Sequence, residues 1–213
     1  MSGLELSTLL TLSDSRLPTG GHVHSGGVEE AVTSGLVSDL ATLRAFLRRR
    51  IRTSGLVTAS VAAAVHAGTL SVVDADRETD ARTPSPAARS ASRAQGRGLA
   101  RLARRVWQEV DWNDIGVKPH LAVAAGVVGA ASGLAPEQTA LSLVYTTMTG
   151  SAMAAQRLLA LDPGDVAAVT FELASLCDEV AAQAAKELAD LSDPLLDMLA
   201  QQHVERDRPL FVS

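Results

Sequence analysis

Between His120 and Gly133 the chain reads HLAVAAGVVGAASG, apolar on nearly every side, with Gly126, Gly129 and Gly133 inside or ending the run. A helix with no polar face must be covered all round by neighbours, and alanine and glycine let those neighbours approach closely. A buried strand is the other reading of such a run, and its alanine content favours the helix. It is too short to cross a membrane, which takes about 20 apolar residues. The same bias holds along the chain: 46% of the 213 residues are apolar but only 3% are aromatic, so the core is built from Ala, Leu and Val. That palette suits packed helices better than a sheet sandwich. The expected fold is all-α, a multi-helix bundle forming a single domain over residues 1–213, because no internal linker divides the chain.

Local signals mark the helices. LELSTLLTLSDSR reads as a short first helix stopped by Pro18 and the glycines after it. A second starts near Ser25 and runs to Ser34, with Gly35 as its stop. Ser38 or Asp39 caps a long helix ending at Gly68 and kinked at Gly55, and a shorter helix follows over TLSVVDADRETDA. Pro84 and Pro86 break the chain at TPSPA. In the next helix Leu99, Leu102, Ala103 and Val106 stand at i, i+3, i+4 and i+7 as a core face, while Arg97, Arg101, Arg104 and Arg105 fall elsewhere on the wheel. Pro136 opens another long helix, a further one from Asp162 or Asp165 carries Val166, Val169, Leu173 and Leu176 as its apolar stripe, and DPLLDMLAQQHVERDR is the last. PLFVS is a tail whose Leu210 and Phe211 need a burial partner.

The net charge of −5 is unevenly spread. Arginines cluster over 44–52 and 89–105, whereas residues 162–197 carry nine carboxylates against Lys186 alone. Such asymmetry suits docking between complementary protein surfaces. Nucleic acid is not expected as a partner, because the aromatics that stack on bases are nearly absent. The first residues lack a basic segment and a continuous apolar run, so the expected location is cytoplasmic, with no membrane attachment. Cys177, the only cysteine, excludes an intrachain disulfide and reads as a buried thiol.

The stretch LPTGGHVHSGGVEEAV, residues 17–32, raises three chemical options. A phosphate loop requires a lysine after the glycines, and Lys118 and Lys186 both lie elsewhere. His22 and His24 could ligate nickel or zinc if a third ligand such as Glu29, Glu30 or a distant histidine converged on them, which makes a nickel metallochaperone the alternative reading of function. A solvated or hydrogen-bonded pair is the plainer interpretation, and His66, His120 and His203 stand isolated in the sequence. No serine, histidine and aspartate order or cysteine and histidine pair argues for a nucleophile. Glu29 and Glu30 sit in a helical first turn, where carboxylates meet the positive dipole end. A shaped loop, a basic helix and an apolar tail are interaction features.

The residues also carry a resemblance. Leu17, Pro18 and Gly20, followed by Ser25, Gly27, Val28 and Glu29, are similar to a Leu-Pro-x-Gly turn and Ser-x-Gly-Leu-Glu step. Arg89, Ser92, Gln95, Gly96, Arg97 and Leu99 match an Arg-x-x-Ser-x-x-Gln-Gly-Arg-x-Leu segment. His120 with Gly126 and Gly133, Tyr145, Arg157-Leu158 and the C-terminal Leu210, Phe211 and Ser213 follow in order. Together these resemble the UreF family of urease accessory proteins, in a divergent branch: His22 and His24 replace Phe and Tyr, Ala87 a Glu, and Val212 an Arg. The resemblance implies an all-α homodimer with no catalytic centre and no cofactor of its own. It further implies binding to UreD (also called UreH), recruitment of the GTPase UreG, and nickel insertion into apo-urease. Pro18, Gly20, Ser25, Gly27, Glu29, Glu30, Arg89, Ser92, Gly96, Arg97, Leu210, Phe211 and Ser213 are then the expected partner-binding residues, with 207–213 a partner-binding tail ordered on UreD binding. On this reading the glycines present Glu29 at the partner surface; the other role open to them is an internal turn that packs the first two helices.

Overall fold

The computed structural model describes residues 3–207 and 209–212. Among the described residues every regular element is helical: α1 (Gly3–Leu12), α2 (Val28–Thr33), α3 (Leu40–Arg50), α4 (Leu56–His66), α5 (Val72–Arg82), α6 (Pro86–Val106), α7 (Leu121–Ala131), α8 (Pro136–Leu159), α9 (Pro163–Glu172), α10 (Ala174–Ala184) and α11 (Pro194–Val204). Prolines 86, 136, 163 and 194 open their helices, where the missing N–H costs nothing. Side-chain oxygens of Ser71, Ser85, Asp162 and Asp193 cap first turns. Asp39 forms a reciprocal box with Thr42, accepting from its N–H at 2.8 Å.

α4 is the axle of the bundle, with α7, α8 and α10 packed around it. Its residues from Leu56 to Val65 are buried on almost every side, which requires small side chains at the crossings. A methyl added at Gly126 of α7 would lie 2.6 Å from the Ala62 carbonyl oxygen, so those two helices touch backbone to backbone. Cys177 on α10 is buried beside Met148, with 3.7 Å between the sulfurs, and burial pushes its thiol up to about 11. It is therefore a core side chain rather than a nucleophile.

Three features depart from the local reading. The helix expected to kink at Gly55 instead widens into a π turn over Ile51–Gly55, joining α3 to α4 and keeping Ile51 and Leu56 both buried. The helix expected after Asp162 breaks at Leu173, drawn fully into the core, so α9 and α10 are separate. On α6 the core face is Gly96, Leu99, Ala100 and Ala103, while Val106, 56% exposed, lies outside it.

Not every helical glycine is a contact. At Gly150 of α8 an added methyl would meet nothing within 4 Å. Gly150→Ala is expected to raise stability by about 0.5–1 kcal/mol through reduced unfolded-state freedom, read as a higher urea midpoint with unchanged slope.

Candidate functional site

The loop over 17–27 is shaped by Gly26 and Gly27, whose φ angles of 65° and 88° are left-handed and suit glycine. This pair swings α2 against α11, where a methyl at Gly27 would lie 3.5 Å from Leu199 and 3.8 Å from Leu196. The first turn of α2 consequently points inward. Glu29 is only 3% exposed, and the expectation that the loop presents it at the surface is overturned. Its backbone N–H donates to the Ser25 hydroxyl oxygen at 3.3 Å.

The Glu29 carboxylate is instead the anchor of the C-terminal tail. It accepts the backbone N–H groups of Leu210 at 2.8 Å and Phe211 at 3.1 Å, and pairs with His203 Nε2 at 2.9 Å. Arg206 lies 3.5 Å from it and bonds Glu30 at 2.9 Å. Burial works to raise the Glu29 pKa, but the Leu210 N–H, His203 and Phe211 N–H outweigh it and hold the carboxyl below its usual range. The Val212 N–H donates to the Val23 carbonyl at 2.7 Å, so the tail is tied to the loop as well. Phe211 is buried within this chain, which corrects the expectation that a partner must supply its burial, whereas Leu210 and Val212 are 79% and 68% exposed.

A second polar cluster joins α5, α6 and α7. Arg93 of α6 forks onto Asp76 and Asp80 of α5 at 2.8–2.9 Å and donates to the Lys118 carbonyl. His120, fully buried, reaches Asp80 at 2.9 Å through Nε2 and Ser92 at 3.0 Å through Nδ1, while the Ser92 oxygen accepts the Leu121 N–H. Burial lowers the His120 pKa more than Asp80 raises it. With neutral His120 donating to ionised Asp80, the Ser92 hydroxyl donates to Nδ1 and every partner is satisfied. Ligand atoms of Asp76, Asp80 and His120 lie within 4.8 Å of one another, yet the Arg93 guanidinium already occupies the cation's place. Arg89 clamps the Thr83 and Pro84 carbonyls. The Arg-x-x-Ser-x-x-Gln-Gly segment is thus glue between helices: Gly96 lies so close to Pro119 and His120 that no side chain fits.

The remaining sequence candidates separate. Pro18, His22 and Arg97 are exposed, Gly20 and His24 half-buried, and Ser25 and Gly27 buried, while Ser213 lies outside the described residues. No third ligand joins His22 and His24 among the described residues. His203, His120 and His66, isolated in sequence, each have a partner distant along the chain, Thr139 Oγ1 in the case of His66 at 2.8 Å. Arg49 and Arg44 meet Asp193 and Glu172 within the chain, so part of the charge asymmetry is resolved internally. Sequence reasoning passed over Asp76, Asp80 and Arg93. Their signal was the i, i+4 spacing of Asp76 with Asp80 and of Arg89 with Arg93 on adjoining helices.

Among the described residues no helix is long and apolar enough to cross a membrane. The UreF family model matches residues 37–174. The chain is 78% identical over 211 residues to the urease accessory protein UreF of Mycolicibacterium vanbaalenii, covering 98% of this chain and 99% of that one. It is 71% identical over 208 residues to the proteins of the same name from Mycobacterium bovis and Mycobacterium tuberculosis, again covering 98% of this chain and 99% of each.

Proposed function

The chain belongs to the UreF family of urease accessory proteins, with a role in urease maturation, and from that premise we propose that it is a non-catalytic cytoplasmic adaptor. In this reading it binds UreD/UreH, recruits the GTPase UreG through that complex, and assists nickel insertion into apo-urease. What supports the adaptor reading is the proposed partner-binding tail: the backbone of Leu210, Phe211 and Val212 is tied at Glu29 and Val23, and the Leu210 and Val212 side chains are left exposed. Apolar side chains held on an ordered strap bind with less entropy to lose than a free peptide would. Pro18 and His22 of the loop are exposed and Gly20 is half-buried, and they extend the same proposed surface. Ser25, Gly27, Glu29 and Gly96, the buried residues of the candidate set, act as supports that shape it, with the half-buried Ser92, Glu30 and Arg89 beside them. The same proposal puts the expected homodimer contact on the α8–α9 side, and what supports it is the exposure of Tyr145, Met153 and Phe171, at 42%, 39% and 82%.

The test is urease activity and nickel content in cells expressing the cognate urease and all other accessory proteins, with this chain present, absent, or carrying Leu210→Asp. Nickel and activity are expected to be lost without the chain. The substitution, at an exposed side chain, should leave the fold intact and weaken UreD/UreH co-purification by at least tenfold. Full activation in the chain's absence would sink the maturation role in that system, and undiminished co-purification of the variant would remove the tail from the interface.

A further inference from the structure

Arg50 ends α3 at the start of the π turn, and its side chain turns back onto the loop. One guanidinium nitrogen, Nη1, donates to the Gly26 carbonyl at 2.6 Å. The guanidinium lies so flat on Gly26 that a methyl there would come within 2.5 Å of Nη2. Its Nε is sealed from solvent with no acceptor, the only such buried side-chain nitrogen or oxygen among the described residues. Native proteins seldom leave a charged donor in that condition without water, an ion or a ligand, because a buried donor without an acceptor has lost its water and gained nothing in return.

No carboxylate nearby is available to it. Asp193 is the carboxylate whose charge acts on it, but its two oxygens already serve Arg49, the Thr53 hydroxyl and the N–H groups of Leu195 and Leu196. Arg49, Arg50 and Asp193 therefore leave one positive charge unmatched. Arg50 also lines a cavity of about 650 Å3, together with Gly26, Ser54, Asp193, Leu196 and Phe211. Space, excess positive charge and an unused fork of donors meet at one place.

We propose that the Arg50 end of this cavity binds a small oxyanion of the phosphate or carboxylate class through the Nε–Nη2 edge of the guanidinium. That edge is the fork left over once Gly26 has taken Nη1, and it matches two oxygens of such an anion. Gly26 then has a second purpose, since any side chain there would displace the guanidinium from its seat. The site is distinct from the exposed tail and does not depend on the urease reading.

The experiment is a titration of the whole protein, labelled with 15N in arginine, with inorganic phosphate and separately with acetate, at ionic strength held constant with chloride. The Nε–H resonance of Arg50, assigned through bonds, is expected to shift saturably, and that of Arg49, already paired with Asp193, to stay in place. A response to phosphate alone or to acetate alone supports the site and identifies its class. Arg50→Lys, which keeps charge but lacks the fork, should bind about tenfold more weakly, and the wild-type titration decides the matter if that variant fails to fold. Absence of saturation with both anions, or parallel drift of both arginines, would overturn the proposal.

Discussion

Replacing Glu29 by alanine is expected to lower the unfolding free energy by about 3–5 kcal/mol, the range for removing one member of a buried ion pair. The effect is large because one carboxylate serves three hydrogen-bond partners and one ion pair at once: His203 and the Leu210 and Phe211 N–H groups lose their common acceptor, and Arg206 loses a nearby negative charge. Hydrogen exchange at the Leu210 and Phe211 amides should accelerate more than exchange in α4, since the tail opens before the core does. Glu29→Gln keeps the shape and part of the hydrogen bonding, so an intermediate loss is expected. The pH dependence follows from the direction of the shift. The folded carboxyl titrates below the ordinary 4.5, so its contribution is complete above that pH and is lost as pH falls through the folded value. A loss below about 1 kcal/mol with unchanged amide exchange would remove the anchor role.

Gly96→Ala is expected to destabilise by about 3 kcal/mol, against the gain of under 1 kcal/mol foreseen for Gly150→Ala. Both glycines are helical and would seem equivalent by propensity. At Gly96 the new methyl runs into main-chain atoms of Pro119 and His120, including the His120 carbonyl carbon at 2.7 Å, and backbone cannot rotate away as a side chain tip can. Relief requires α6 to move off the residues leading into α7, which stretches the Ser92–His120–Asp80 chain of hydrogen bonds. Urea unfolding of the two variants side by side gives the result. Equal stability of Gly96→Ala and the wild type would mean that the helices separate without cost.

Much of the fold was legible because its signals are local. The caps at Asp39 and Asp162, the prolines at 86 and 136 and the all-apolar run at 121–131 each act within a turn or two of backbone. The break at Leu173 and the π turn after Arg50 were not legible, since both arise from pulling particular side chains into a core assembled from other helices. The candidate site was readable as residue types and not as roles. Glu29, Ser92 and Gly96 stood out in the sequence, yet their partners His203, His120 and Pro119 lie 174, 28 and 23 positions away.

Alone, then, the amino-acid order determined an all-helical chain, where most of its helices start, and a family resemblance that the comparisons bear out. Tertiary structure alone decided that Glu29 faces inward, that Phe211 is buried and Leu210 exposed, and that the Asp76, Asp80 and His120 cluster takes an arginine rather than standing open. The physical reason is range. Helix formation is set by neighbours within about four residues along the chain, whereas burial, ion pairing and the shape of a surface depend on which distant segments the fold sets against one another.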